Sequence, residues 1–222
     1  MIEPALPVPP HSFDEPAAGL ARRRALAVLP LHVHLDVRLN PEAQGEPAVE
    51  CRVTHTVRAL QDGLTRVTLD AADLTVSGAW QDGEPVAFFH HAGGIDVVLA
   101  VSLARDAVAH ISLQFTSHPS VGLYFVRRNA ESPERRPQIW SQGAMEDHHH
   151  WFPCFDAPQH MVTTEVVAMV PAPYRAISNG RPVEWPAEGE APAEPEGWRR
   201  FHWRMEHPHA LYLLTLVVDT LE

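Results

Sequence analysis

Apolar and polar residues alternate with a period of two through much of this chain. The clearest run spans residues 49–58, and shorter runs follow the same pattern at residues 32–39 and 109–115. The residues that share one side in these runs are Val49, Cys51, Val53, His55 and Val57; Val33, Leu35, Val37 and Leu39; and Ala109, Ile111, Leu113 and Phe115. A period of two is typical of a β-strand with one buried face and one exposed face.

The second half of the chain predicts more strands of the same kind, at residues 165–170, 176–178 and 201–205. Residues 211–218 form a continuous apolar run, which favours a strand buried on both faces. No helical period of about 12 residues and no repeat of about 20–50 residues interrupts this pattern.

Turn residues separate the predicted strands. Asp82-Gly83 and Asn179-Gly180 each predict a tight turn, because Gly, Asn and Asp accept the positive φ angles that such turns need. Many short strands joined by turns are typical of an antiparallel β architecture. The predicted fold class is therefore all-β, an antiparallel sandwich or a saddle-like sheet assembly.

The composition of two segments sets them apart from this β domain. Residues 1–27 are rich in Pro and Ala and contain Arg22-Arg23-Arg24, which predicts a leader that is partly disordered or draped over the domain. Four prolines lie between Pro182 and Gly197, which predicts a surface loop. The predicted β domain itself covers residues 28–222.

Net charge, apolar runs and cysteine content limit the kinds of partner and the cell compartment expected for this chain. The 222 residues carry a formal net charge of −11, which disfavours binding to nucleic acid. No stretch approaches the roughly 18–20 apolar residues of a membrane span, and the start of the chain lacks the basic and apolar pattern of a secretory signal. Cys51 and Cys154 are expected to be free, buried thiols, as in a reducing compartment. We therefore expect a cytoplasmic protein without nucleic acid or membrane partners.

One segment of 21 residues, Gln138 to Pro158, combines aromatics, acids and imidazoles in a way that suits neither a plain core strand nor a plain loop. Its two ends read Trp140-Ser-Gln-Gly143 and Phe152-Pro-Cys-Phe-Asp-Ala-Pro158. These resemble the W-[ST]-Q-G-E and F-P-C-[FY]-D-x-P motifs of zinc metallopeptidases of the aminopeptidase N and leukotriene hydrolase type. Further stretches resemble the family in the same order: residues 31–39, 69–76, 82–86, 120–124, 177–180 and 207–213.

The resemblance covers residues 28–219 and implies a saddle-like N-terminal domain packed beside a thermolysin-like catalytic domain. In the family, that catalytic domain binds zinc through H-E-x-x-H and a more distant Glu, and the metal activates water to remove N-terminal residues from peptides. This chain contains no His-Glu dipeptide. The resemblance thus implies zinc in the complete enzyme, no metal site and no catalytic residue in this chain, and a catalytic domain as partner, in cis or as a separate chain.

Two further expectations concern the extent of this chain. Its length relative to the family suggests a fragment, a split-gene product or a domain cut from a larger enzyme. Gly143-Ala-Met-Glu146 spells the start of the family's G-A-M-E-N exopeptidase motif, but that motif belongs to the catalytic domain and its Asn is Asp147 here. We interpret the four letters as coincidence.

Three residues are the candidate substrate-binding positions. By resemblance, Gln142 lines the pocket for the first side chain of a peptide substrate; the alternative is a buried amide bonded to backbone. Relatives carry a Glu for the substrate's α-ammonium where this chain has Ala144, whose methyl group cannot accept a hydrogen bond. Glu146 is the expected substitute, because positions 142, 144 and 146 share one side of an extended strand. The alternative for Glu146 is a solvated surface acid.

The neighbouring polar residues are expected to be structural. On an extended chain only His148 and His150 of the run His148–His150 could share a metal ion, so we expect a hydrogen-bonded or solvent-facing cluster without a metal. Asp156 is expected to bond backbone or an Arg. Cys154, between Pro153 and Phe155, is expected to be buried and unreactive.

Two other function classes stay open at this point. The chain could be a non-catalytic β-sandwich module that binds a protein or peptide, or a truncated reading frame without an independent role. An H-E-x-x-H motif in the coding sequence directly downstream would favour the aminopeptidase interpretation.

Overall fold

The computed structural model describes residues 27–43, 49–184 and 194–220. The predicted leader lies outside these ranges except for Ala27, and so do residues 185–193 of the predicted loop. The described strands are β1 Val28–Arg38, β2 Val49–Ala59, β3 Leu64–Leu69, β4 Leu74–Gln81, β5 Glu84–Val86, β6 Phe88–His91, β7 Gly94–Leu103, β8 Val108–Ser117, β9 Leu123–Val126, β10 Gln138–Ser141, β11 Met161–Pro171, β12 Arg175–Ser178, β13 Arg181–Pro182, β14 Trp198–Ala210 and β15 Leu216–Asp219.

Three sheets contain these strands. The largest has eight strands in the order β13-β14-β11-β1-β2-β8-β4-β5, the second has the order β12-β15-β10-β9, and the third has the order β3-β7-β6. The pairs are antiparallel except β1 with β11, which run parallel. The prediction of an all-β, largely antiparallel domain is confirmed, and the single parallel pair is the feature that the pattern did not reveal.

The core follows the predicted alternation. Leu35 of β1 lies opposite Val53 of β2, which lies opposite Leu113 of β8, and all three are fully buried. Burying one such side chain contributes about 1.5–3 kcal/mol, so the aligned apolar rows of β1, β2 and β8 fix the register of the sheet centre. Their other faces carry the polar residues, among them His32, His34 and Asp36 of β1.

The Asp82-Gly83 turn is confirmed between β4 and β5. Both residues have positive φ, 51° and 93°, as expected for a two-residue hairpin of type I′. Gln81, the last residue of β4, is buried and exchanges two hydrogen bonds with the backbone of Val101, which ties this hairpin to β7.

The predicted continuous strand over residues 211–218 is wrong. Residues Leu211–Leu213 form a 3₁₀ turn, closed by the Leu214 N–H bonding the Leu211 carbonyl at 2.8 Å, and only Leu216–Asp219 is strand. Leu211, Leu214 and Leu216 are all buried. A short apolar run is compatible with either structure because burial alone does not set a period.

The only helical elements in the described ranges are short 3₁₀ turns, and none there approaches the length and hydropathy of a membrane-crossing helix. The second sheet, β12-β15-β10-β9, contains the start of the Gln138–Pro158 segment. The position of that segment in the fold is therefore set by β10, which is hydrogen-bonded to β9 on one side and to β15 on the other.

Candidate functional site

The segment after β10 is a turn rather than a continued strand. β10 ends at Ser141, and the Gln142 N–H still bonds the Gly122 carbonyl at 2.9 Å, but the Asp147 N–H then bonds the Gly143 carbonyl at 3.2 Å. The premise that residues 142, 144 and 146 lie on one side of an extended strand is thus wrong, because the chain folds back after Gly143. All three of these side chains are nevertheless exposed on the turn.

Gly143 allows this turn to pack tightly against a buried imidazole. A Cβ atom at Gly143 would overlap the ring of His148, which is 0% exposed. The indole Nε1–H of Trp151 donates to His148 Nδ1 at 2.9 Å, and Trp151 and Phe152 are also fully buried. Burial lowers the pKa of His148 to about 4, although the carbonyls of Leu211 and Leu214 act in the opposite direction. A neutral imidazole therefore forms the base of the turn.

His149 and Asp156 form the second anchor of the turn. The His149 backbone N–H donates to Asp156 Oδ2 at 2.9 Å, and His149 Nδ1 lies 2.8 Å from the same oxygen. Burial lowers the pKa of His149, but the hydrogen bond and charge of Asp156 outweigh it, so the pKa is raised. The prediction that Asp156 bonds nearby backbone is confirmed, with His149 in place of the expected Arg as its side-chain partner.

The connection between β3 and β4 also holds the segment that follows the turn in place. Asp70 and Cys154 exchange backbone hydrogen bonds of 2.8 and 3.0 Å, and Asp70 Oδ2 accepts the Asp156 N–H at 3.1 Å. The Ala72 N–H bonds the His149 carbonyl at 2.9 Å. The sequence did not predict this role of Asp70, although the family-like stretch 69–76 that contains it was a usable signal.

Glu146 is exposed, but it lies in a negative environment. Partial burial raises its pKa first, and the charges of Asp156 and Asp70 raise it further, while His149 acts in the opposite direction. The carboxyl groups of Glu146, Asp156 and Asp70 therefore act on one another, and His149 offsets part of their negative charge.

The three histidines of the run diverge to separate partners instead of alternating along an extended chain. His148 is buried against Trp151, His149 bonds Asp156, and His150 Nδ1 lies 2.9 Å from Asp73 Oδ2. His148–His150 is a 3₁₀ turn, so the expected geometry in which His148 and His150 point to the same side is wrong. The expected hydrogen-bonded cluster is confirmed, and the absence of a bound metal at this run stays a prediction.

Cys154 is fully buried, as expected, and burial raises its pKa well above the ordinary value. Cys51 is also buried and free, and burial raises its pKa in the same way. A buried, protonated thiol is a poor nucleophile, so neither cysteine suits covalent chemistry.

Two features of the structure were not predicted from the sequence, one close to the Gln138–Pro158 segment and one on the eight-stranded sheet. A cleft of about 610 Å³ lies over β9 and β10, beside the stacked rings of Tyr124 and Trp140, whose centroids are 4.6 Å apart. Separately, His32, His34 and Glu165 bring three potential metal-ligand atoms within 4.8 Å of one another. The His-x-His spacing on β1 was the available signal for this cluster, but Glu165 joins it through the β1–β11 pairing.

Comparison with known proteins gives one family match and several relatives. Residues 29–213 match the model of the peptidase M1 N-terminal domain. The chain is 25% identical over 199 residues to leukotriene A-4 hydrolase of Xenopus laevis, covering 86% of this chain and 31% of that protein. It is 25% identical over 226 residues to aminopeptidase B of Mus musculus, covering 92% of this chain and 33% of that protein.

The fold is similar to solved structures of larger proteins. A variant of an M1 zinc metallopeptidase from Deinococcus radiodurans, solved with a Tyr-Ser-Ala substrate, superposes with a TM-score of 0.70 at 23% identity. The superposition covers 87% of this chain and 42% of that one. This chain thus spans about a third of the length of the relatives named above and less than half of the solved one.

Proposed function

We propose that this chain, which belongs to the peptidase M1 N-terminal domain family, forms one wall of the substrate cleft of a zinc aminopeptidase. The complete enzyme would remove N-terminal residues from peptides. The observation that carries the proposal is the exposed turn at residues 142–146, held on a buried base within the family-matched region. The relative solved with a Tyr-Ser-Ala substrate and the relative named aminopeptidase B support a peptide as ligand.

The chemistry of hydrolysis is assigned to a catalytic domain, in the same polypeptide or in a separate chain. Zinc supplies an activated water in such enzymes, and its H-E-x-x-H ligand motif is absent from these 222 residues. Met145, Ile177 and Leu213, which are 71%, 42% and 49% exposed, provide apolar surface on the turn and beside β15 for such a domain. We assign this chain recognition of the substrate, without a catalytic residue of its own.

Glu146 is proposed to bind the α-ammonium of the peptide. Ala144, at the position where relatives carry a Glu, offers no acceptor, whereas Glu146 lies two residues further along the same exposed turn. The nearby charges of Asp70 and Asp156 increase the attraction for a cation. Gln142, whose backbone is fixed by Gly122, is proposed to contact the first side chain of the peptide.

The same proposal includes a cytoplasmic location. The two free, buried thiols support a reducing compartment, since disulfide-paired cysteines are more common outside it.

The test uses the chain together with its catalytic domain and a series of aminoacyl amides. A charge-assisted hydrogen bond is worth about 1.5–3 kcal/mol, so Glu146→Ala should lower kcat/KM about 10- to 100-fold, and Ala144→Glu in that background should restore it. Gln142→Ala should change the preferred first residue instead. Glu84→Ala, which removes an exposed acid from the β4–β5 hairpin, is the matched control.

Two results would contradict the proposal. Unchanged kcat/KM of Glu146→Ala for every substrate would remove this chain from amine recognition. Chelator-sensitive hydrolysis by the purified 222-residue chain alone would show that it contains its own catalytic centre.

A further inference from the structure

Three potential metal ligands converge on the polar face of the eight-stranded sheet. His32 and His34 are two residues apart on β1 and so share a face, while Val33 and Leu35 face the core. Glu165 of β11 is paired with His34 across the parallel strands. Glu165 Oε2 lies 3.8 Å from His32 Nε2, and Glu165 Oε1 lies 3.7 Å from His34 Nδ1.

Hydrogen bonds on the outer side of the cluster orient the His32 ring. His32 Nδ1 lies 2.7 Å from the Thr163 hydroxyl, which also donates to the Leu31 carbonyl at 3.3 Å. The other ring nitrogen of His32, Nε2, lies 3.8 Å from Glu165 Oε2. Metal-bound histidines commonly have a hydrogen bond like that to Thr163 on the ring nitrogen that does not bind the ion.

The Glu165 carboxylate also has a hydrogen-bond partner outside the cluster. His202 of β14 lies with its Nε2 2.6 Å from Glu165 Oε1, a distance at which an N–H donates strongly to a carboxylate. Burial lowers the pKa of both His32 and His34, although Glu165 acts in the opposite direction.

We propose that His32, His34 and Glu165 bind one divalent transition-metal ion of the Zn²⁺, Ni²⁺ and Cu²⁺ class. Two imidazoles and a carboxylate suit these ions and do not suit Ca²⁺ or Mg²⁺, which prefer oxygen ligands. Bond lengths of about 2.1 Å in a tetrahedral site place ligand atoms about 3.4 Å apart, so the three ligand atoms, which lie within 4.8 Å of one another, would move closer by up to about 1.4 Å on binding the ion. The partly exposed cluster leaves room for water as a further ligand.

One positive charge opposes the ion. Arg204 Nε lies 3.8 Å from Glu165 Oε2, but also 3.8 Å from Glu206 Oε1, and its side chain is 50% exposed. Binding of the ion should therefore displace Arg204 towards Glu206. Removal of this charge should therefore strengthen binding.

The site would join parts of the chain that are distant in sequence. β1 and β11 are neighbours in the sheet, yet 131 residues separate His34 from Glu165. An ion that binds the folded chain and not the unfolded one raises its stability by mass action. The site is thus a metal link across the parallel strand pair, independent of the proposed peptide cleft.

The test is calorimetric titration of ZnCl₂ into the chelator-treated 222-residue chain. We expect one Zn²⁺ per chain. His34→Gln and Glu165→Gln should each weaken binding more than about 100-fold, beyond the 10- to 100-fold effect typical of outer-shell changes. Arg204→Gln should tighten binding, and Zn²⁺ should raise the melting temperature of the parent chain but not of His34→Gln.

Two control variants test whether binding depends on these histidines in particular, and circular dichroism shows whether each variant is folded. His90→Gln removes an exposed imidazole of β6, and His150→Gln removes one from the His148–His150 run; both should bind like the parent. The proposal would be overturned if His150→Gln lost one-to-one Zn²⁺ binding, or if a folded His34→Gln variant kept it. The absence of one-to-one Zn²⁺ binding by the folded parent chain would also overturn it.

Discussion

Acid should unfold this protein because two histidines are buried in their neutral form. His55 is 0% exposed, its Nε2–H donates to the Pro153 carbonyl at 2.8 Å, and its ring packs edge-on against Phe155. Burial lowers the pKa of His55 from 6.5 to about 4, although the Pro153 bond acts in the opposite direction. His148 is buried to the same extent and its pKa is also lowered to about 4.

The direction of the effect follows from proton binding. Below pH 6.5 both imidazoles are protonated in the unfolded chain, whereas in the folded chain they stay neutral until about pH 4. The free energy of unfolding therefore falls as pH decreases through this window, by about 3 kcal/mol for each histidine. Together these losses are comparable to the roughly 5–15 kcal/mol of a whole domain. The raised pKa of His149 acts in the opposite direction, whereas the lowered pKa values of His32, His34 and His160 add to the loss.

Urea unfolding between about pH 7.5 and about pH 4.5 measures this loss. His55→Gln keeps a side-chain N–H for the Pro153 carbonyl and removes the titrating ring. It should be less stable at neutral pH, and its pH-dependent loss should be smaller than that of the parent by about 2–3 kcal/mol. His207→Gln, which changes an exposed imidazole of β14, is the control. A parent chain whose free energy of unfolding changes by less than about 1 kcal/mol over this range would refute the reasoning.

Two further predictions concern groups that are buried in the folded chain. Gly143→Ala should lower the free energy of unfolding by about 1–3 kcal/mol, because the added methyl overlaps the buried His148 ring; an unchanged urea midpoint would contradict this. Cys51 and Cys154 should resist a thiol reagent such as Ellman's reagent in the folded chain and react fully in urea, since both are buried and have raised pKa values; rapid labelling of the folded chain would contradict the observed burial.

Strands with one buried face could be predicted from the sequence because their apolar rows repeat every second residue. The alternation at residues 49–58 and 109–115 gave both the strands and the side chains that face the core. His55 lies in the buried row of β2, where the pattern would otherwise place an apolar side chain. Its ring is hydrogen-bonded to the carbonyl of Pro153, which is 98 residues away in the sequence. The sequence placed the residue correctly, but its hydrogen bond depends on tertiary contacts.

The candidate site was predicted less well because its backbone does not follow a local period. Gln142 and Ala144 were selected by resemblance and Glu146 by its spacing on an assumed extended strand, whereas the turn after Gly143 depends on the absence of a Cβ at that residue and on the ring of His148 beneath it. The metal-ligand cluster was missed for a related reason. His32 and His34 lie two residues apart on the same face of β1. Glu165 lies beside them because β11 pairs with β1 in parallel, and alternation in the sequence cannot specify which strands pair.

The proposed recognition of a peptide amine requires a carboxylate whose position is fixed, since a mobile one loses binding energy to ordering. The backbone of the turn that carries Glu146 is held by supports on either side of residues 144–147. Gly143 packs on His148, which accepts the Trp151 indole, and His149 is bonded to Asp156 through both its backbone and its ring. Asp156 is in turn bonded to Asp70, beyond the end of β3. The side chain of Glu146 is thus exposed while the backbone that carries it is tied to two sheets, the arrangement expected of a binding residue presented to a separate catalytic domain.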